Sequence, residues 1–195
     1  TALLDCAANG HSGALMFIDL DNFKVLNDTR GHHTGDLLLK GVATRLRHCV
    51  RVDDTVARIG GDEFVVLLQA LDSDPAVAAR KAHAVATKVL ARMIERFDLD
   101  GHQHHCTTSI GITLIAAGQD NVAELLQQAD MAMYQAKHMG RNTLAFFDPP
   151  MQAALNASAS LALALRAALS DDRQLTLHYQ PQFDRARRIT GVEAL

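Results

Sequence analysis

RIGGDEFVVLL, residues 58–68, sets two glycines and two carboxylates between apolar runs. Residues 55–59 and 64–68 read as the strands of a hairpin, with Gly60 and Gly61 supplying the positive backbone dihedrals that tight turns favour. An ordinary Gly-Gly hairpin with solvated acids accounts for this pattern. So does a hairpin whose bare backbone lets a nucleotide approach beside Asp62 and Glu63 without meeting a Cβ.

The segments on either side read as regular structure. Upstream, ALMFIDL at 14–20 follows Asn9, Gly10, Ser12 and Gly13 and predicts a buried strand that ends in acids. Leu37, Leu38, Val42, Leu46 and Val50 recur at helical spacing, which predicts a helix over 36–50 after a loop around Gly31 and Gly35. Downstream, the alanine-rich stretch 75–97 reads as a helix with Pro75 near its start. Residues 107–115 then read as a strand, 122–138 as a helix and 143–147 as a final strand. The order strand, helix, hairpin, helix, strand, helix, strand implies an α/β sandwich on one central sheet. Asp148, Pro149 and Pro150 break it. Beyond them an alanine- and leucine-rich helix over about 153–169 predicts a connector, followed by a strand at 175–180 and another toward the chain end.

Composition excludes several classes. The chain has 195 residues, 48% of them apolar, and a net charge of −3 with its basic residues scattered. No positive stripe exists for duplex nucleic acid or an anionic membrane. Cys6, Cys49 and Cys106 form no close pair and fit a reducing compartment, so a cytoplasmic location is expected. No apolar run approaches the ~20 residues of a spanning helix and no signal peptide opens the chain, so any membrane or sensory segment is expected elsewhere in a longer protein.

Two acidic pairs carry the candidate chemistry. Asp19 and Asp21 sit at i and i+2 where the first strand ends, so persisting strand geometry would place them on one face. They would suit Mg²⁺, which takes few protein ligands and completes its octahedron with water and phosphate oxygens. Equally, either could cap the following turn. Asp62 and Glu63 at the hairpin tip would join the first pair if the tip lies beside the end of that strand. HQHHC at 102–106 lacks the spacing of a structural zinc site and is expected to be a loop entering a strand.

Taken together, FIDLDNFKVLNDTRGHHTGD at 17–36, RVDDTVARIGGDEF at 51–64 and ADMAMYQAKHMGRN at 129–142 resemble a GGDEF domain, the diguanylate cyclase family, over residues 1–147. The resemblance implies a ferredoxin-like core of the nucleotide-cyclase palm type, α/β (α+β), with a central, mainly antiparallel sheet flanked by helices. It also implies condensation of two GTP into cyclic di-GMP with release of two pyrophosphates. By motif position, Asp19, Asp62 and the Leu20 carbonyl would be ligands of Mg²⁺ (with Mn²⁺ an alternative), supported by Glu63. Asp62 or a metal-bound hydroxide would take the hydroxyl proton. Asn27 and Asp36 would read guanine, an amide and a carboxylate being suited to its edge, although both types are also common in turns. Phe23 and Lys24 would line the phosphate pocket beside Gly60 and Gly61, unless Phe23 is plain core. Lys137 and Arg141, four apart on a helix, would clamp the triphosphate; without the resemblance they read as a solvated helix end near a Gly140 cap. Arg51 and Asp54 match an inhibitory product site. His32 belongs to the family's Gly-His turn. Catalysis would need a homodimer, each copy holding one GTP; a weakly active module sensing GTP or cyclic di-GMP is the alternative. The family's DxLTGLPNR-like segment is not in the sequence, and residues 1–8 read as the tail of a helix.

The C-terminal stretch resembles the opening of an EAL domain, the cyclic di-GMP phosphodiesterase family: LHYQPQFD at 177–184 and GVEAL at 191–195, with Glu193, Ala194 and Leu195 as the signature. The implied boundaries are a linker over 148–172 and the EAL start over 173–195. Glu193 would be a metal ligand in a complete domain, and residues 150–195 are expected to expose apolar surface or meet a neighbour.

Overall fold

In the computed structural model, the described residues are 11–116, 121–149, 161, 164, 168 and 178–194. The chain divides into two compact units, Thr1–Met151 and Gln152–Leu195. The first begins with β1 (Ser12–Leu20), α1 (Phe23–Cys49) and the hairpin strands β2 (Thr55–Gly60) and β3 (Glu63–Asp72). Then come α2 (Pro75–Ile94), β4 (Phe97–Leu99), β5 (His102–His104), β6 (Thr108–Ile115), α3 (Val122–His138) and β7 (Leu144–Phe146). The five-stranded sheet runs β2-β3-β1-β6-β7, antiparallel except for the parallel β6–β7 pair.

β1 is buried along its whole length because both faces of the sheet are covered. Met16, Ile18 and Leu20 pack into the larger core with Leu38, Val42 and Leu46 of α1 and Ala82, Ala86 and Val89 of α2. Leu15 and Phe17 point the other way, onto Leu125, Ala129 and Met133 of α3. A strand covered on both sides reads as a continuous apolar run instead of an alternating one. The alanines of α2 form a narrow stripe, and the Asp74 side chain caps its first turn, accepting from Ala76 N at 2.8 Å.

Several boundaries differ from the expectations; β3, expected at 64–68, runs on to Asp72. The helix expected to begin at residue 36 begins at Phe23, and the supposed loop is a break at Gly31 (φ 82°, ψ 162°) inside it. Its polar first half buries only Phe23 and Leu26, too few apolar residues to show a period. α2 stops at Ile94, and Phe97 starts a short hairpin whose second strand contains the HQH expected as loop. Arg45 of α1 holds this hairpin's entry, its guanidinium 3.4 Å from the Phe97 ring centroid and donating to the carbonyls of Arg92, Glu95 and Arg96. Among the described residues, no helix is long and apolar enough to cross a membrane.

In the second unit, β8 (Tyr179–Phe183) and β9 (Ile189–Ala194) form an antiparallel hairpin. The Asp184 carboxylate accepts from Ala186 N, Arg188 N and Arg188 Nε at its turn. Tyr179, Phe183, Ile189 and Val192 are exposed. The strand is shifted from the expected 175–180, whose first residues, like most of the expected connector and Leu195, lie outside the described residues.

Candidate active site

The hairpin tip does lie beside the end of β1. Asp19 stands opposite Glu63 in the β1–β3 register, and Leu20 N donates to Asp62 O at 3.3 Å. From the other side, α3 delivers Lys137, whose Nζ is 2.8 Å from Asp19 Oδ1. Burial pushes the Asp19 carboxyl above its ordinary value, the charges of Asp62 and Asp21 push the same way, and Lys137 opposes them.

Asp21, two residues on, directs both carboxylate oxygens to protein donors. Its Oδ1 accepts from Ser109 Oγ at 2.8 Å, and its Oδ2 accepts from Thr107 Oγ1 at 2.7 Å and Asn142 N at 3.2 Å. It does not cap α1: the cap residue is Asn22, in a left-handed conformation and without a side-chain bond. Asp21 therefore laces β1 to the start of β6 and to the loop after α3.

That loop corrects the placement of Arg141. α3 closes at Gly140 (φ 111°), with Gly140 N donating to Lys137 O and Arg141 N to Ala136 O, a Schellman end. Arg141 (φ 63°) and Asn142 (φ 48°) follow in left-handed conformations, so Arg141 stands past the helix end and is exposed.

At the hairpin only Gly61 has positive φ, 49°; Gly60 ends β2 without it. A Cβ at either would meet nothing within 4 Å, so this backbone borders open space. Arg58 Nε donates to Gly61 O at 2.9 Å and fixes the turn. Its role lay hidden because an arginine in a strand carries no local signal of where its fork points.

On α1, the break at Gly31 separates Asn27 from Asp36. Asn27 Oδ1 is buried and has no hydrogen-bond partner, and it packs so closely on Gly35 that a Cβ there would overlap it. Asp36 is exposed and lines a groove of about 440 Å³ with Lys40, Arg47, Arg58 and Phe64. Phe23 is buried in the core and Lys24 is exposed. His32 is exposed, while His33 Nε2 pairs with Asp100 at 3.3 Å.

Arg51 and Asp54 come together through the backbone: the buried Asp54 carboxylate accepts from Arg51 N at 2.8 Å and Gln69 N at 3.1 Å. Both line a groove of about 390 Å³ that includes Lys81 and Lys88. Those lysines are already bonded, Lys81 to Leu71 O and Asp72, Lys88 to the carbonyls of His48 and Cys49.

A mainly antiparallel sheet flanked by helices, with acids at the end of its central strand and at the adjoining hairpin tip, defines a domain of the nucleotide-cyclase palm type. The chain belongs to the GGDEF family: the model of "Diguanylate cyclase, GGDEF domain" matches residues 1–143. It is 45% identical over 183 residues to the bifunctional diguanylate cyclase/cyclic di-GMP phosphodiesterase MucR of Pseudomonas aeruginosa, covering 93% of this chain and 26% of that protein. It thus spans about a quarter of the length of the curated relatives it matches. Among solved structures, the GGDEF domain of TpbB (YfiN) from P. aeruginosa superposes with a TM-score of 0.73 at 38% identity, over 80% of this chain and 88% of that one. The GGDEF domain of DgcB from Caulobacter crescentus, solved in complex with c-di-GMP, gives a TM-score of 0.60 at 28% identity, over 74% and 83%.

Proposed function

We propose that the chain is the cyclase part of a longer cytoplasmic signalling protein, condensing two GTP into cyclic di-GMP with release of two pyrophosphates. The observation that carries this reading is the meeting of Asp19, the Asp62–Glu63 tip and Lys137 at one end of the sheet. Among the described residues, no three acidic, histidine or cysteine side chains are arranged to hold a metal by themselves. The donors present, the Asp19 and Asp62 carboxylates and the Leu20 carbonyl with Glu63 beside them, are few and hard, which fits Mg²⁺ or Mn²⁺ completed by water and phosphate oxygens. A cationic nitrogen already sits on Asp19. When bound, the metal would neutralise the triphosphate and polarise its α-phosphate.

The chain's own groups do the rest. Asn27, with its unpaired Oδ1, and Asp36 accept from the N–H groups of guanine. The open backbone at Gly60 and Gly61 gives the phosphates room, and Lys24, Lys137 and Arg141 supply positive charge to them. The attacking 3′-hydroxyl gives its proton to Asp62 or to solvent, and it comes from a second copy, because each domain holds one GTP. Arg51 is the side chain assigned to product phosphate, Asp54 being occupied with shaping the turn. An upstream sensory region and the EAL domain that Glu193, Ala194 and Leu195 would open complete the protein.

The test is cyclic di-GMP formation from GTP and Mg²⁺ by the longer protein and by an artificially dimerised domain, with Asp62→Ala as control. Product lost in the control supports the cyclase; a folded, dimeric, GTP-binding protein without product is instead a regulatory sensor.

A further inference from the structure

Asp21 is buried at the active end of the sheet, and its two oxygens are taken by three donors. Two come from β6 and its approach, Ser109 Oγ and Thr107 Oγ1. The third, Asn142 N, lies 121 residues away, in the loop where Arg141 and Asn142 hold positive φ. Side-chain-bearing residues in that conformation are strained and persist only where the surroundings over-determine them. The Schellman bonds at Gly140 and Arg141 fix the near side of the turn. The Asp21–Asn142 bond fixes its far side, and Arg141 stands between the two.

We propose that Asp21 is a positioning residue for the nucleotide's polyphosphate: it clamps the left-handed Arg141–Asn142 turn and so presents the Arg141 guanidinium to the phosphates. This rests on the reading that Arg141 binds the triphosphate. It gives a strand-end carboxylate beside the metal-type ligand Asp19 a task that uses no metal. An Asn in its place could still do it. The amide oxygen would accept from Asn142 N and Thr107 Oγ1, and the amide nitrogen would donate to Ser109 Oγ.

The test is a double-mutant cycle on the full chain, read as binding of GTP and of GMP with Mg²⁺ present. Asp21→Ala is expected to weaken GTP binding about tenfold, leaving GMP, which has no β- or γ-phosphate, within roughly twofold. In an Arg141→Ala background the same change should add nothing, and Asp21→Asn should restore GTP binding. Additive losses, or equal losses for GTP and GMP, would overturn the proposal. So would Arg141→Ala weakening GTP while Asp21→Ala does not. If Arg141→Ala leaves GTP binding intact, the phosphate role of Arg141 fails and the proposal fails with it, whereas product formation still reports separately on the cyclase reading. Should Asp21→Ala not fold, amide exchange on the unmodified chain decides: Asn142 N–H is expected to be protected without nucleotide, and free exchange there would refute the clamp.

Discussion

Lys137 Nζ and Asp19 Oδ1 lie 2.8 Å apart, the lysine side chain 29% exposed and the aspartate side chain 10%. A cation on the carboxylate proposed to hold a divalent ion would compete with that ion, yet the same lysine is proposed to bind the triphosphate. The two roles give opposite signs on removal. Lys137→Met should tighten Mn²⁺ binding to the nucleotide-free chain roughly tenfold while raising the KM for GTP by about the same factor. Calorimetric Mn²⁺ titration beside steady-state kinetics checks both; a weaker Mn²⁺ site in the variant would show that Lys137 supports the carboxylate without competing for it.

Gly111 is required by packing alone. It lies in β6 facing α3, and a Cβ there would overlap Ala129 O and Met133 N and come within 2.8 Å of Ala132 C. These are backbone atoms of a helix that also carries Lys137, so no rotamer change relieves them. Gly111→Ala should cost about 3 kcal/mol, at the upper end of overpacking, seen as a lower denaturation midpoint at unchanged slope. A stability loss below about 1 kcal/mol would mean that α3 shifts outward readily.

The Cys106 thiol is pushed up to about 12 by burial first, with the charges of Asp21, Asp62 and Asp19 adding to it and Arg45 opposing. At pH 8 its thiolate fraction is about 10⁻⁴, so alkylation mapped by peptide mass spectrometry should leave Cys106 unmodified in the native chain and modify it in denaturant. The folded value lies above the unfolded one, 9.0. The stabilisation is therefore complete below pH 9 and is lost toward pH 12, at about 1.4 kcal/mol per pH unit as the unfolded chain deprotonates first. Burial raises the Cys49 thiol too, so both act in the same direction. Rapid labelling of native Cys106 at pH 8 would show that the segment leading into β6 opens locally.

What the sequence reveals and conceals follows from range. The hairpin at 58–68 and β1 are local patterns, a Gly-Gly turn between apolar runs and a strand buried on both faces, and both are readable. The first half of α1 is not, because NDTRGHHTGD buries no apolar side chain between Leu26 and Gly35 and is interrupted by the break at Gly31. β4 and β5 have three residues each, too short to carry a period. The metal-type acids could be named from residue type, but the division of labour between Asp19 and Asp21 depends on Lys137 and Asn142, more than a hundred residues away. Arg141 looks helical at i+4 from Lys137, and only the cap geometry removes it from the helix.

Asn27 makes a last prediction about what the apo chain forgoes. Its Oδ1 is buried against Gly35 without a donor, and an unsatisfied buried acceptor costs about 1–3 kcal/mol. On the proposed guanine-reading role of Asn27, a bound guanine would supply the missing N–H. Asn27→Ala removes the orphan, so the nucleotide-free chain should lose no stability and gain up to about 1 kcal/mol, the trade-off expected where function is kept at a folding cost. GTP binding should meanwhile weaken about tenfold and the preference for GTP over ATP should shrink, because the amide discriminates by pairing with groups that adenine lacks. Thermal denaturation of the apo chain and competition of ATP against GTP read the two halves independently. A destabilised apo variant with its GTP preference intact would make Asn27 a brace for the α1 break and leave guanine recognition to Asp36.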